Sequence, residues 1–323
     1  MAQEPLEQTS GVAAIPPIGQ MVQATASHSL WTDAFRRLAR NKLALIGLTI
    51  ILAIGLAAIF APYVAPSRYD TIFPGHTVES PSKSHLFGTD QVGHDTLSRD
   101  IYGARNSLSV GVFVQFIILI IAVMIGGTAA IGPKWLDGIL MRFTDVVYAF
   151  PDLLFVILLQ QVLRGVSVTF PVIDVSVNSN TMGGLLVVFF AIGLVSWVNV
   201  ARLIRGQMLS LRERDFVIAA EAMGASKFRI VTQHMLPHTV GPVIVALTFG
   251  VPAAIFTETA LSYIGIGISP PLADWGNMIY QGYGVILANP WPTFFPAMTL
   301  AIVFMSFQFL GDGLRDALDP RTR

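Results

Sequence analysis

One stretch decides how this chain is organised: Asp215-Phe216-Val217-Ile218-Ala219-Ala220-Glu221-Ala222-Met223-Gly224-Ala225-Ser226, with Leu236-Pro237 closing the segment. The alanines favour a helix, and Gly224 is typical of the left-handed residue that ends one. Ser226 is predicted to cap a second helix, and Pro237 is predicted to interrupt it. The pattern therefore predicts two short helices around a glycine turn.

The surrounding interval is the most polar long segment between apolar runs, and it is basic. Three acidic residues (Glu213, Asp215 and Glu221) stand against six basic ones: Arg202, Arg205, Arg212, Arg214, Lys227 and Arg229. A basic helix-turn-helix is also the form of a DNA reader. Apolar runs of membrane-spanning length flank the interval on both sides, so a cytoplasmic loop is favoured and no nucleic-acid partner is expected.

Composition bounds the class of protein. The chain has 323 residues, of which 53% are hydrophobic and only 12% charged, and its mean hydropathy is +0.64. Soluble domains carry roughly 25% charged residues, so an integral membrane protein embedded in a lipid bilayer is indicated. Net charge is zero and cysteine is absent, which excludes a global basic field, disulfides and Cys-ligated metals.

Six apolar runs predict an all-α polytopic membrane protein with six transmembrane helices, since about 20 residues cross the hydrocarbon core. The runs are 43–61, 107–131, 139–159, 183–200, 240–264 and 294–310. Four basic residues precede the first run: Arg36, Arg37, Arg40 and Lys42. They predict that the amino end is cytoplasmic, and an even number of spans then predicts the same for the carboxyl end. The chain is thus predicted to be a multi-pass protein of the cell membrane (inner or plasma membrane).

These runs divide the chain into five predicted segments. They are a disordered cytoplasmic tail (1–35), a first transmembrane helix (36–65), an extracytoplasmic loop (66–104), a five-helix core (105–313) that includes the cytoplasmic loop 202–237, and a cytoplasmic C-terminal tail (314–323).

Three charged residues inside the apolar runs are candidate intramembrane pathway residues. Arg142 and Asp145 lie one turn apart and can pair, and Pro151 is predicted to kink their helix. Glu258 would cost about 3 kcal/mol if unpaired in the membrane, so it is expected to face another helix or water. A pathway role and a structural pairing remain open for all three.

The other polar residues form neither a catalytic motif nor a metal-binding motif. Asp90, His94, Asp95 and Asp100 miss the spacing of a calcium loop, which favours turns and a helix cap. His234 and His238 have ligand spacing, but Pro237 lies between them and favours a helix-end role. Phosphate-loop, zinc-protease and nucleophile-elbow motifs are absent from the sequence. We therefore expect no catalytic residue, no bound metal and no cofactor.

Several motifs together resemble the permease subunits of binding-protein-dependent ABC importers. The stretch 215–237 resembles the family's "EAA" loop, although Ile218 occupies the position of the family's glutamate and Glu221 lies one turn later. Further segments resemble the C-type subunits of dipeptide, oligopeptide and nickel importers. They are 87–105, MRFTDVVYAFPDLL (141–154), 258–265 and 311–320.

The resemblance implies an ABC importer permease fold and a set of partners: a homologous second permease, two ATPase subunits and an extracytoplasmic peptide-binding protein. ATP and Mg²⁺ would be bound by the ATPases. The implied ATPase-docking residues are Asp215, Ala219, Ala220, Glu221, Ala222, Gly224, Ala225, Ser226, Leu236 and Pro237.

Alternatives remain for the function. A non-peptide cargo such as nickel chelates fits the same resemblance. A self-sufficient secondary transporter would need inverted repeats with paired broken helices, which are not visible in the sequence. A membrane enzyme would need a catalytic constellation.

Overall fold

The computed structural model describes residues 30–163, 167–170, 175–178 and 184–318. In chain order the elements are α1 (Leu30–Leu38), α2 (Lys42–Ile59), α3 (Ala61–Val64), α4 (Thr96–Ile131), α5 (Lys134–Ala149), α6 (Asp152–Leu163), β1 (Ser167–Phe170), β2 (Val175–Asn178), α7 (Leu185–Ser196), α8 (Val198–Arg212), α9 (Asp215–Ala222), α10 (Lys227–Arg229), a π-helix (Ile230–Met235), α11 (Leu236–Tyr263), α12 (Trp275–Tyr283) and α13 (Trp291–Leu318).

The helices account for the six predicted spans. In the described part of the chain, four helical segments are long and apolar enough to cross a membrane: α2, α4, the continuous helix 227–263 and α13. Two bent pairs, α5 with α6 and α7 with α8, bring the number to six when each pair is counted as one span. The all-α class is confirmed, with one antiparallel hairpin of β1 and β2 added between α6 and α7.

The third span is broken rather than kinked. α5 ends at Ala149, and Phe150 is extended (φ −83°, ψ 139°) before Pro151. Proline lacks an N–H and disfavours the helical conformation of the residue before it. As a result, α5 and α6 meet at 93°. The predicted kink at Pro151 is confirmed in its position, but the bend is larger than a kink and separates two helices.

Helix ends correct three predicted boundaries. α4 begins at Thr96, because Asp95 Oδ2 accepts the N–H of Ser98 at 2.8 Å, so residues 96–104 are helical rather than loop. Residues 30–35 of the predicted disordered tail lie in α1, and residues 314–318 of the predicted C-terminal tail lie in α13. The rest of these tails, 1–29 and 319–323, lies outside the described residues.

The core lies between α4 and the helices that surround it. One stripe of α4 is fully or nearly fully buried at every fourth residue: Val110, Val114, Ile118 and Ala122. Further along, Gly126 lies so close to α8 that a Cβ there would overlap the carbonyl oxygen of Ala201. Small residues permit this close approach of membrane helices. The opposite stripe of α4 is exposed: Phe113, Phe116, Ile120 and Met124.

Candidate functional site

The glycine turn has the predicted form. Gly224 is left-handed (φ 80°), and the N–H of Gly224 donates to the carbonyl of Glu221 at 2.9 Å. The N–H of Ala225 donates to the carbonyl of Ala220 at 3.1 Å, which completes a Schellman motif. Ser226 Oγ accepts the N–H of Arg229 at 3.3 Å and so caps the next helix. Both local predictions are confirmed.

The predicted interruption at Pro237 is wrong. The chain runs from α10 through the π-helix into α11, and Pro237 lies in the first turn of α11. The N–H of Leu236 donates to the carbonyl of Val231, five residues back. A proline ring collides with the carbonyl four residues earlier in an α-helix, and the wider π turn accommodates it. The loop is therefore continuous with the fifth span.

One side of α9 anchors the loop to the rest of the protein. Val217 and Ala220 are each 3% exposed and belong to the main hydrophobic core, as does Ile230 of the π-helix. The ring of Phe216 lies 5.1 Å from the ring of His238 on α11. These contacts fix α9 against the start of the fifth span, and they place His238 in packing.

The other side of the loop carries an apolar tip, which we define as Ile218, Met223 and Phe228. Their exposed fractions are 54%, 82% and 76%. Of the remaining sequence-predicted residues, Asp215, Ala219, Glu221, Ala222, Gly224, Ser226 and Pro237 are exposed, and Ala225 and Leu236 are half-buried. Exposed apolar side chains concentrated in one short segment, here residues 218–228, indicate a candidate protein-docking surface.

The predicted pair of Arg142 and Asp145 does not form. Asp145 Oδ1 instead accepts from Arg202 Nη2 of α8 at 2.6 Å, and Arg202 also stacks 4.6 Å from the ring of Tyr148. Arg142 is exposed, and no ion pair to it exists among the described residues. The aspartate reaches across to α8 because its face of α5 meets that helix.

A second ion pair joins the same two helices. Asp137 of α5 accepts two hydrogen bonds from Arg205 of α8, each 2.6 Å long. Together with the Asp145–Arg202 pair, it neutralises two of the six basic residues counted around the loop and links α5 to α8.

Glu258 is fully buried and is held by hydrogen bonds. Ser107 Oγ of α4 donates to Oε2 at 3.0 Å, and Ser262 Oγ donates to Oε1 at 3.0 Å. Ser262 Oγ also accepts the N–H of Ile268 at 3.1 Å. The interhelical hydrogen bond predicted for Glu258 is therefore present, and a pathway role for this residue stays a prediction.

Two further carboxylates, those of Asp274 and Asp100, are buried. Asp274 caps α12 by accepting the N–H of Asn277 at 2.9 Å, and burial raises the pKa of Asp274 to about 6. Asp100 of α4 accepts from Trp275 Nε1 at 2.9 Å and from Thr299 Oγ1 at 2.7 Å. Asp100 thereby joins α4, α12 and α13.

The acidic residues before α4 form a turn rather than a calcium loop. Asp90 Oδ1 accepts the backbone N–H groups of Val92, Gly93 and His94, each at 2.9 Å. Asp90 Oδ2 accepts from Arg99 Nη1 at 2.5 Å. Burial raises the pKa of Asp90, but the charge of Arg99 and the bonds from His94 outweigh it and hold the pKa below its usual value. The interpretation as turns and a helix cap is confirmed.

A cavity of about 680 Å³ lies between α4 and α7. Its wall is mostly apolar, with aromatic rings that include Tyr69, Tyr102, Phe113 and Phe189, and its charged lining residue is Arg105. The rings of Tyr69 and Tyr102 are 5.0 Å apart. Sequence reasoning did not single out Arg105, although it ends the Tyr-Gly-Ala-Arg motif at 102–105.

Comparisons with known proteins agree with this architecture. Residues 119–323 match the family described as "binding-protein-dependent transport system inner membrane component". Residues 29–81 match the "N-terminal TM domain of oligopeptide transport permease C". The chain belongs to the first of these families, and it is the permease subunit of a binding-protein-dependent ABC importer, a multi-pass protein of the inner membrane.

Named relatives cover nearly the whole chain. It is 40% identical over 297 residues to the oligopeptide transport system permease protein OppC of Bacillus subtilis. The aligned residues make up 92% of this chain and 92% of that protein. It is 41% identical over 300 residues to the dipeptide transport system permease protein DppC of the same organism, covering 92% of this chain and 88% of that protein. The MetNI methionine ABC transporter in an inward-facing conformation superposes with a TM-score of 0.54 at 19% identity, over 68% of this chain and 96% of that chain. That last similarity shows the fold alone.

Proposed function

We propose that this chain is a peptide-importing permease of the dipeptide or oligopeptide type, which pairs with a homologous second permease. Two ATPase subunits bind ATP and Mg²⁺, an extracytoplasmic protein delivers the peptide, and this chain binds no nucleotide. The observation that carries the proposal is the apolar tip, held on a capped turn and continuous with a membrane span. The names of the relatives support the peptide cargo.

The loop is suited to transmit force from an ATPase. Val217 and Ala220 anchor α9 in the core, so the tip does not swing freely. Ile218 stands where the family's glutamate is expected and is 54% exposed, so it adds apolar area to the docking face. ATP-driven closure of the ATPases would displace the tip and rock this subunit between outward and inward access.

The cavity beside α4 is suited to pass a peptide. Aromatic rings accept varied side chains, and the exposed guanidinium of Arg105 attracts a carboxylate such as the peptide's C-terminus. Three residues of the exposed stripe, Phe113, Phe116 and Ile120, line this cavity, and Met124 lies one turn further along α4. We assign this side of α4 to the second permease, which would complete the wall of the passage.

We infer the orientation in the membrane from the basic residues before α2 and around the loop. By the positive-inside rule, both termini and the apolar tip would lie in the cytoplasm. The chain has no cysteine, so single substitutions report sidedness. Lys83→Cys should react with an impermeant thiol reagent in intact cells. Met223→Cys should react only after the cells are permeabilised. The reverse pattern would overturn the orientation.

Docking is tested by removing apolar area from the tip. Met223→Ser and Phe228→Ser should reduce co-purification of the ATPase subunits and ATP-dependent uptake of a labelled peptide. Leu287→Ser is the matched control, because Leu287 is fully exposed between α12 and α13. The proposal fails if the tip variants and the control assemble and transport equally well.

Cargo and energy source are tested in proteoliposomes that contain the whole complex. Peptide uptake should require ATP and be competed by unlabelled peptide but not by a nickel chelate. Uptake driven by an ion gradient without ATP would favour a secondary transporter, and competition by the nickel chelate alone would change the cargo.

A further inference from the structure

Three potential metal ligands meet in the segment between α3 and α4. One ligand atom each from His76, Glu79 and His85 lies within 4.8 Å of the others. His76 Nδ1 is 2.8 Å from Glu79 Oε1, and the rings of His76 and His85 are 5.9 Å apart. A tetrahedral zinc site with bonds near 2.0–2.1 Å has ligand atoms about 3.4 Å apart, so small side-chain movements suffice to form one.

A buried carboxylate orients one of these histidines. Asp95 Oδ1 lies 2.9 Å from His85 Nδ1, and both side chains are almost fully buried. This contact leaves Nε2 of His85 as the nitrogen available to a metal. A carboxylate on the far nitrogen of a ligating histidine is the usual outer-shell arrangement of zinc sites, where it fixes the tautomer and the ring orientation. The ring of Phe73, 5.0 Å away, packs edge-on against the ring of His85.

The backbone around Glu79 is fixed before any metal binds. Thr89 Oγ1 accepts the N–H of Glu79 at 2.9 Å, and the N–H of Thr89 donates to the carbonyl of Glu79 at 3.1 Å. Asn289 Nδ2 donates to the carbonyl of Val78 at 2.8 Å, which ties the turn to the segment before α13. The ligands therefore stand on a turn that is already held in place.

We propose that His76, Glu79 and His85 bind one divalent transition-metal ion, with Zn²⁺ as the best match. Two imidazoles and one carboxylate are a ligand set that zinc favours, and three protein ligands leave the fourth position open. His76 is 53% exposed, so the site is open to solvent on that side. Through His85 and Asp95, the metal would tie the turn at 76–79 to the start of α4. This revises the expectation from sequence that the chain binds no metal, and it does not depend on the cargo.

The alternative is that His76 and Glu79 form a surface ion pair only. Zinc binding to the full-length chain, purified with a tag that contains no histidine, distinguishes the two. The chain is treated with EDTA, incubated with Zn²⁺, exchanged into metal-free buffer and analysed for zinc by mass spectrometry. We expect one Zn²⁺ per chain, and Co²⁺ in its place should give the visible absorption of a four-coordinate ion.

The variants use the two more exposed ligands, so misfolding does not obscure the result. His76→Gln and Glu79→Gln should each weaken Zn²⁺ binding by at least about 10-fold, the loss typical of perturbing even an outer-shell partner. His234→Gln, a histidine in the π-helix far along the chain, should bind as the unmodified protein does. The proposal is overturned if the unmodified chain retains no zinc, or if both substitutions leave zinc binding unchanged.

Discussion

Replacing Gly224 by valine tests the proposed role of the turn in ATPase docking. Gly224 has a φ of 80°, and no heavy atom lies within 4 Å of a Cβ built there. The substitution therefore causes no collision inside this subunit. It adds only the strain of a β-branched residue in the left-handed region, about 1–2 kcal/mol.

That strain is expected to weaken the affinity of the subunit for the ATPase. In the free subunit the valine variant can relax by giving up the Schellman hydrogen bonds of Gly224 and Ala225. Docking on the ATPase must then restore the strained turn, at a cost of up to about 1–2 kcal/mol, or a 5- to 30-fold weaker affinity. Valine also adds bulk at the docking face. Membrane abundance should be unchanged, because the apolar spans drive insertion.

Gly224→Asn is the matched control, because asparagine tolerates the left-handed conformation. We would measure the binding of purified ATPase subunit to each variant in nanodiscs, and in parallel peptide uptake and ATP hydrolysis by the reconstituted complex. Asparagine should retain most of the affinity that valine loses. If Gly224→Val binds the ATPase and transports as the unmodified protein does, the turn is not the coupling element.

Three further predictions test the packing and electrostatics of the fold by thermal unfolding. Gly126→Val should destabilise the protein by about 1–3 kcal/mol through overpacking against α8, whereas Gly206→Val, which has open space around it, should change little. Arg202→Gln should lower the free energy of unfolding by up to about 1 kcal/mol, and Arg142→Gln should change it very little. Equal effects of the two substitutions would contradict the pairing of Arg202 with Asp145. Folding raises the pKa of Asp274 from 3.8 to about 6, so its contribution to stability is complete below pH 4 and is lost as pH rises through 6. Asp274→Asn should remove this pH dependence of the unfolding temperature. A variant whose pH profile matches that of the unmodified protein would refute the assignment.

Features determined by local chemistry were predictable from the sequence. The span number follows from hydropathy, and the helix end at Gly224 and the cap at Ser226 follow from residues within a few positions of each other. A helix cap was also predicted in the acidic segment before α4 without being assigned to a residue, and Asp95 supplies it. These predictions hold because the interactions that decide them do not depend on distant parts of the chain.

Features determined by packing between distant segments were not predictable. The partner of Asp145 is Arg202, 57 residues away, and helical spacing alone favoured Arg142 instead. The cluster of His76, Glu79 and His85 was also overlooked, although its His-x₂-Glu-x₅-His spacing was visible. Only the fold of the turn brings these ligand atoms together, because five residues of irregular chain separate Glu79 from His85.

Pro237 combines a local sequence signal with a structural outcome that the sequence did not predict. Its position bears on how the loop is joined to the fifth span. A proline normally ends a helix, which would leave a flexible joint between the loop and the fifth span. The π turn removes that joint, and residues 227–263 form one continuous helix. At 1.5 Å per residue, this helix is about 55 Å long. The apolar tip adjoins one end, and Glu258 and Ser262 lie near the other, bonded to α4. If the tip docks on an ATPase as proposed, its displacement would reach the buried polar cluster through a helix rather than through a linker, so the Gly224 experiment follows hydrolysis and transport separately.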